Sequence, residues 1–189
     1  MHDTMQIAFI LYDDLTLLDF IGFYDPVSRL RSMKFLPDLS WRLCATKAMV
    51  TDSFGMHLRV DQVTPDLAEF DAIFIPGGLG SRPLQYDDEF IAWIKTAETV
   101  PWKISVCTGS LLLGAAGFLE QKRATTHFDE YDTLGSYCGE VVRERIVADG
   151  QIITGGAVAT SLDLGLYMCE RWAGAEAARA IQTRMHYKV

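Results

Sequence analysis

The cysteine at position 107 stands between a β-prone run and a helix-forming run, in the segment KISVCTGSLLLGAAG of residues 103–117. Small residues lie two positions before it and two positions after it, at Ser105 and Gly109. A tight strand-to-helix elbow that pushes a side chain outward needs this spacing. The amides at the start of the following helix would favour a thiolate at neutral pH. A free cysteine is more commonly a small core residue, but the elbow spacing favours a nucleophile at Cys107.

A glycine-rich loop, PGGLG at residues 76–80, directly follows a second buried run, DAIFIP. We expect the backbone N–H groups of Gly77 and Gly78 to be exposed there. Together with the N–H of Thr108 they are candidates for an oxyanion-type site. The alternative is an ordinary glycine turn. No G-K-[ST] or clean G-x-G-x-x-G pattern follows the loop, so nucleotide binding is disfavoured.

Asp19 interrupts an apolar helical stretch, LTLLDFIG, just beyond the first predicted strand. A carboxyl among apolar neighbours is desolvated, so we expect its pKa to rise and allow proton transfer near neutral pH. A helix cap or a buried aspartate bonded to backbone amides is the alternative. His127 is either a second acid/base group or a structural histidine at a helix start, and the sequence favours the structural role.

Composition limits the possible partners. The 189 residues are 49% hydrophobic and 22% charged, which predicts one soluble domain over residues 1–189. A net charge of −8 argues against a nucleic-acid groove or an anionic membrane surface and favours a small-molecule ligand. Four cysteines and four histidines show neither C-x-x-C nor H-x-x-x-H spacing, so we expect reduced thiols, no metal and no cofactor.

The N-terminal stretch MHDTMQIAFILYDD has no basic region, and its apolar run is too short for a membrane span. It predicts a first strand, and we expect a cytoplasmic protein.

Apolar runs alternate with amphipathic stretches along the whole chain. This alternation predicts a mostly parallel sheet covered by helices on both sides, with ligands at the carboxyl ends of the strands. Hairpins are predicted near residues 53–55 and at the Asp149-Gly150 pair. The main strands are predicted at residues 6–12, 41–46, 71–76, 103–107 and 124–126. The helices are predicted at residues 15–33, 87–99, 109–116, 160–172 and 175–185, the last two split at Gly174.

Four segments in this order resemble the DJ-1/PfpI superfamily, also called the class I glutamine amidotransferase-like fold. They are QIAFILYDDLTLLDFIG, DAIFIPGG, ISVCTGSLLLGAAGFLEQKRATTH and ITGGAVATSLDLGL. The resemblance extends from residue 6 to about residue 185. It implies an α/β, flavodoxin-like three-layer sandwich with a mostly parallel central sheet. It also implies Cys107 as the elbow nucleophile, Gly78 and Thr108 at the oxyanion site, and a homodimer.

Within that superfamily, the residue after the cysteine and the acid on the first helix resemble the isonitrile hydratases. Those enzymes have an L-D-x-x-G segment and a C-T-G elbow. The resemblance implies a hydro-lyase that adds water to an isonitrile through a Cys107 thioimidate, with Asp19 as general acid and base, and releases an N-substituted formamide. The implied catalytic residues are Cys107, Asp19 and Thr108, and the implied oxyanion or substrate-binding residues are Gly77, Gly78, Gly22 and His127.

Two positions depart from the isonitrile hydratase pattern. Phe23 follows Gly22 where many relatives have proline, and Phe128 follows His127 where tryptophan is frequent. Both are expected near the pocket. Asp163 is expected to have a structural role at a helix start. Two other functions stay open: a different cysteine-dependent hydrolase or glyoxalase-like enzyme, in which His127 would serve as the acid/base, and a non-enzymatic ligand- or redox-sensing domain.

Overall fold

A computed structural model describes residues 5–188. Positions 1–4 and 189 of the predicted domain, with the histidine at position 2, lie outside the described residues. The strands are β1 Gln6–Ile10, β2 Ser40–Ala45, β3 Met49–Thr51, β4 His57–Arg59, β5 Gln62–Val63, β6 Ala72–Ile75, β7 Trp102–Val106, β8 Arg123–Ala124, β9 Glu140–Val141, β10 Ile146–Asp149 and β11 Ile152–Gly155. The helices are α1 Leu17–Ser32, α2 Ser81–Leu84, α3 Asp88–Lys95, α4 Gly109–Ala115, α5 Tyr131–Leu134 and α6 Thr160–Arg184, with 3-10 turns at Leu67–Glu69 and Phe128–Glu130.

The main sheet has the strand order β10-β11-β7-β6-β1-β2-β5. Every neighbouring pair in it is parallel except β10 with β11. The strand β6 is buried along its whole length because β1 and β7 flank it in the middle of the sheet. Both predicted hairpins form, as the antiparallel pairs β3–β4 and β10–β11.

The helices form two groups that flank the sheet. Helix α1 packs against α6, whereas α4 packs against α2, α3 and α5. The predicted flavodoxin-like sandwich with a mostly parallel sheet is therefore confirmed. No helix among residues 5–188 is long and apolar enough to span a membrane.

Aromatic packing fixes helix α1 on the sheet. Phe23 stacks on Phe74 of β6 with ring centroids 4.0 Å apart, and Phe20 packs edge-on against Phe9 of β1 at 5.4 Å. Phe23 is fully buried in this cluster and does not line the cavity described below. The same packing fixes the start of α1, where Asp19 directly precedes Phe20.

Helix α6 contains the break predicted at Gly174. That residue has φ 86° and ψ 167°, which interrupts the helix and which glycine adopts without a Cβ penalty. Gly22 lies where α1 approaches the first part of α6. A Cβ on Gly22 would sit 2.1 Å from Ser161 Oγ, so only glycine permits this contact between the helices.

Candidate active site

Cys107 lies directly after β7 in a left-handed backbone conformation, with φ 55°. A non-glycine residue in this region is strained and needs support from its surroundings. Its N–H donates to the carbonyl oxygens of Gly155 and Gly156 at 3.0 and 2.8 Å. Its carbonyl accepts the hydroxyls of Ser110 at 3.2 Å and Thr126 at 3.0 Å. Four hydrogen bonds thus hold the strained residue in place.

The small residues on either side of Cys107 allow the elbow to form. A Cβ on Gly109 would lie 2.2 Å from the carbonyl oxygen of Ile75, so α4 can begin this close to β6 only with glycine at that position. Ser105 is fully buried in β7. The strand-to-helix elbow expected from the spacing is present.

Asp19 lies in the first turn of α1 and is fully buried, with 0% of its surface exposed. Its Oδ2 accepts the N–H of Gly77 at 2.9 Å. Its Oδ1 has no partner with normal hydrogen-bond geometry among residues 5–188. Burial raises the pKa of Asp19 from 3.8 to about 7, against smaller opposing effects of the Gly77 N–H and the Cys107 thiol.

Asp19 and Cys107 act on each other across Gly77. A Cβ on Gly77 would lie 2.7 Å from Cys107 Cβ and 2.8 Å from Asp19 Oδ2, so the two side chains enclose this glycine. Burial, and then the charge of Asp19, raise the pKa of the Cys107 thiol to about 12. The thiolate expected at neutral pH is therefore wrong. Cys107 is only 4% exposed, and the loss of hydration of its sulfur outweighs the stabilising N–H of Thr108.

The glycine loop after β6 differs from the expectation in one respect. The N–H of Gly77 is bonded to Asp19, and the N–H of Gly78 donates to Thr108 Oγ1 at 3.0 Å. Neither group is free, so the two exposed donors expected in this loop are absent. Gly78 has φ 143°, and a Cβ there would lie 2.4 Å from the carbonyl oxygen of Asp14. The loop thus positions Asp19 and Thr108 by close backbone contact.

A cavity of about 180 Å³ opens above the sulfur of Cys107. It is lined by Thr16, Gly78, Leu79, Arg82, Cys107, Thr108, His127 and Val158. Sequence reasoning identified four of these lining residues: Cys107, Thr108, Gly78 and His127. Asp19 and Gly77 are not among the lining residues, although each lies beside one that is. Gly22, expected to bind substrate, instead lies at the contact between α1 and α6.

Sequence reasoning missed Thr16, Leu79, Arg82 and Val158. Thr16 is the N-cap residue of α1, and its N–H donates to the carbonyl of Gly77 at 2.8 Å. Arg82 lies on α2, and its Nε donates to Glu130 Oε1 at 2.6 Å. Arg82 lies just after the glycine loop, in the run GSRP. Residues that follow a loop beside a site lie close to that site, and this position was the one local indication that Arg82 belongs to it.

His127 caps the turn Phe128–Glu130 while its ring lines the cavity. Its Nδ1 accepts the N–H of Asp129 at 3.3 Å, as expected of a structural histidine at a helix start. The Phe128 ring lies against the His127 ring at a tilt of 32°, with centroids 4.1 Å apart, and Phe128 is 61% exposed. Asp163 is likewise bonded within the fold, to Arg145 and to the hydroxyl of Tyr187.

Within residues 5–188 no three His, Cys, Asp or Glu side chains are grouped so as to hold a metal ion. All four cysteines are free thiols. Of these, Cys107 alone lines the cavity described above.

Known proteins are similar to this chain over most of its length. The model of the DJ-1/PfpI family matches residues 5–171. Isonitrile hydratase of Pseudomonas putida is 35% identical over 185 residues, which are 97% of this chain and 78% of that protein. The crystal structure of a THiJ/PfpI family protein from Pseudomonas syringae has a TM-score of 0.87 at 28% identity, covering 98% of this chain and 76% of that chain. Deglycase PfpI of Pyrococcus furiosus is 25% identical over 113 residues, 57% of this chain and 67% of that protein.

The region matched by the family begins before β1 and ends within α6, so it includes the sheet and every residue of the elbow and cavity. The similarity to isonitrile hydratase extends over nearly the whole chain, which confirms the resemblance seen in the sequence. The chain belongs to the DJ-1/PfpI family.

Proposed function

We propose that the protein is an isonitrile hydratase-like enzyme that converts an isonitrile and water into an N-substituted formamide. One observation carries the proposal: the buried Asp19 carboxyl, with an unpartnered Oδ1 and a pKa of about 7, lies against the thiol of Cys107 below a small cavity. A carboxyl with this pKa gives and takes protons near neutral pH. The similarity to isonitrile hydratase over most of the chain supports the same reaction.

In the first step the Cys107 thiol adds across the terminal carbon of the isonitrile. A C–S bond forms from the sulfur and a C–H bond forms with a proton from Asp19, which receives the thiol proton in exchange. The product is a thioimidate joined to Cys107. Because the thiol is neutral at rest, its proton leaves as the C–S bond forms, and Asp19 is the adjacent group that can accept it.

In the second step Asp19 gives its proton to the substrate nitrogen and takes a proton from a water molecule as the water oxygen attacks the same carbon, which leaves a hydroxyl on that carbon. The C–S bond then breaks as this hydroxyl becomes the formamide carbonyl, and the hydroxyl proton passes to the sulfur. An N-substituted formamide leaves, and the thiol and carboxyl return to their starting states. Thr108 contributes by stabilising charge on sulfur, because its N–H lies against that atom.

The experiment incubates the reduced protein with a panel of isonitriles and follows formamide formation by NMR. We expect Cys107→Ala to abolish turnover and Asp19→Asn to lower kcat by about 100-fold or more, since proton transfer by a positioned group contributes on that scale. Cys138→Ala and Asp25→Asn are matched controls outside the cavity, and both should retain turnover. Full activity in Asp19→Asn would refute the proton-transfer role.

A second candidate is favoured by the position of His127 on the cavity wall. In that case Cys107 serves a different hydrolase or glyoxalase-like reaction, with His127 as acid/base. Turnover of α-oxoaldehydes, lost in His127→Gln and retained in Asp19→Asn, would favour this candidate over the hydratase. A sensing domain without turnover would show neither activity.

The homodimer and the cytoplasmic location stay predictions. Apolar side chains on α1 and the β3–β4 hairpin are exposed and give a second copy a surface to cover: Leu18, Ile21, Met49, Phe54 and Met56. Light scattering should give twice the chain mass of 21.1 kDa, and Phe54→Asp should reduce it toward one chain.

A further inference from the structure

Arg82 is the fixed cation in the cavity wall. Its guanidinium uses Nε to donate to Glu130 at 2.6 Å. Among the residues that the structure describes, its two terminal nitrogens have no hydrogen-bond partner. The Arg82 side chain is 38% exposed and lines the cavity. A guanidinium has five N–H donors, and those of the terminal nitrogens are available to a ligand.

Glu130 holds Arg82 in one orientation. The carboxylate is only 14% exposed, and its other oxygen accepts the hydroxyl of Thr133 at 2.8 Å. The N–H of Glu130 donates to the carbonyl of His127 at 2.9 Å, which ties the turn to the cavity wall. The guanidinium is therefore positioned before any substrate binds, and this lowers the entropy lost on forming a hydrogen bond.

His127 adds a second donor to the same wall. Because Nδ1 accepts the N–H of Asp129, the neutral ring carries its proton on Nε2. The wall of this cavity is therefore rich in hydrogen-bond donors, whereas an aliphatic isonitrile has no acceptor in its substituent. A purely apolar substituent would leave these donors without partners and would displace water from them.

The charges around the cavity select the kind of acceptor. Glu130 already balances the charge of Arg82, and Asp129 Oδ2 lies 3.6 Å from His127 Nδ1. The chain as a whole carries −8. A carboxylate on the substrate would face these negative charges, but a neutral carbonyl oxygen can accept from Arg82 without repulsion. The cavity of about 180 Å³ is also smaller than a drug-sized site, which favours a short substituent.

We propose that the substrate is a small isonitrile whose substituent carries a neutral carbonyl oxygen, as in an ester or amide, bound by the terminal N–H groups of Arg82. This inference rests on the proposed hydratase function and assigns its substrate class.

The experiment compares kcat/KM for methyl isocyanoacetate with that for pentyl isonitrile, which has the same number of non-hydrogen atoms, and with that for the isocyanoacetate anion. In the native protein we expect the ester to exceed both others by about tenfold, the scale of one hydrogen bond to a charged donor. Arg82→Met should bring the ester-to-pentyl ratio close to one, and Arg82→Lys should retain part of the preference.

Two further variants separate recognition from a structural effect. Glu130→Gln leaves the charge of Arg82 unbalanced, so the anion should gain relative to the ester, a change that simple loosening of the site would not produce. Arg29→Met removes an arginine on α1, outside the cavity, that is paired to Asp25 through Nε and a terminal nitrogen, and the ester-to-pentyl ratio should not change. Melting temperatures identify any variant that fails to fold.

The outcomes distinguish the two proposals. The proposed substrate class is overturned if the native ester-to-pentyl ratio is at or below one, or if the ratio is unchanged in both Arg82 variants. In either case, turnover of an isonitrile still supports the hydratase function. No turnover of any of the three compounds, with Cys107 still alkylated by iodoacetamide, overturns the hydratase function and this inference with it.

Discussion

Replacing Asp19 with asparagine should make the protein more stable, and the gain should grow with pH. Asp19 is fully buried and its pKa is raised from 3.8 to about 7 by that burial. At about 1.4 kcal/mol for each pKa unit, ionising the carboxyl in the folded state costs about 4 kcal/mol more than ionising it in the unfolded chain. Asparagine keeps the shape and can still accept the Gly77 N–H, but it carries no charge.

The pH dependence of stability follows from the pKa of Asp19, which is 3.8 in the unfolded chain and about 7 in the folded protein. Below pH 3.8 the carboxyl is protonated in both the folded and the unfolded states, so its contribution to the free energy of unfolding is fully present. That contribution is lost as the pH rises and is fully absent above about pH 7, where the folded state also carries the charge. Between about pH 5.5 and about pH 8 the advantage of Asp19→Asn should therefore grow by about 2 kcal/mol.

The assay is urea unfolding at both pH values, followed by circular dichroism, for the native protein and the variant. The change with pH is diagnostic, because the amide of asparagine adds a contribution of its own that does not titrate. Asp25→Asn is the control, since Asp25 is half-exposed and paired to Arg29; its effect should stay below about 1 kcal/mol at both values. An advantage of Asp19→Asn that is the same at both pH values would show that burial does not raise this pKa.

Three other predictions concern the elbow. Asp19→Asn should also speed alkylation of Cys107 by iodoacetamide at about pH 9, because the charge that helps to raise the thiol pKa is gone; an unchanged rate would mean that the two groups are not coupled. Gly77→Ala should lower kcat/KM by about 100-fold, because its Cβ would lie 2.6 Å from Thr108 N and displace the site. Gly55→Ala strains a φ of 93° in the β3–β4 hairpin but meets no atom and lies outside the cavity, so it should leave kcat/KM unchanged. Thr126→Val removes one of the hydroxyls bonded to the Cys107 carbonyl and should cost about 1 kcal/mol in urea unfolding, restored by Thr126→Ser; equal stability of all three proteins would contradict a supporting role.

The parts of the site that could be predicted from the sequence are those set by local pattern. The elbow at Cys107 depends on residues two positions away on each side, and the alternation of strands and helices places it at the ligand edge of the sheet. These inferences need no knowledge of which distant segments touch. The raised pKa of Asp19 was expected too, but its cause differs from the expected one: its neighbours Leu18 and Ile21 are exposed, and the carboxyl is buried where it meets the distant residues Gly77 and Cys107.

The parts that could not be predicted depend on contacts between distant segments. Arg82 reaches the cavity because the turn that carries Glu130 docks beside α2, and nothing near Arg82 in the sequence indicates this pairing. The N–H groups of Gly77 and Gly78 were expected to be free because their partners, Asp19 and Thr108, lie on other segments. The local sequence shows which hydrogen-bond donors are present, but it does not show which acceptors on distant segments they bind.

The neutral thiol of Cys107, found where a thiolate was expected, explains how the site would work. A helix start favours a thiolate, but this effect is worth about 1 kcal/mol. It is smaller than the loss of hydration of the sulfur, because Cys107 is only 4% exposed and lies beside a carboxylate. A preformed thiolate is also unnecessary for the proposed reaction. The isonitrile carbon must gain both a sulfur and a proton, and a neutral thiol beside a carboxyl of pKa about 7 holds both within one pair of side chains. The burial that weakens Cys107 as a free nucleophile therefore keeps the proton that the addition requires.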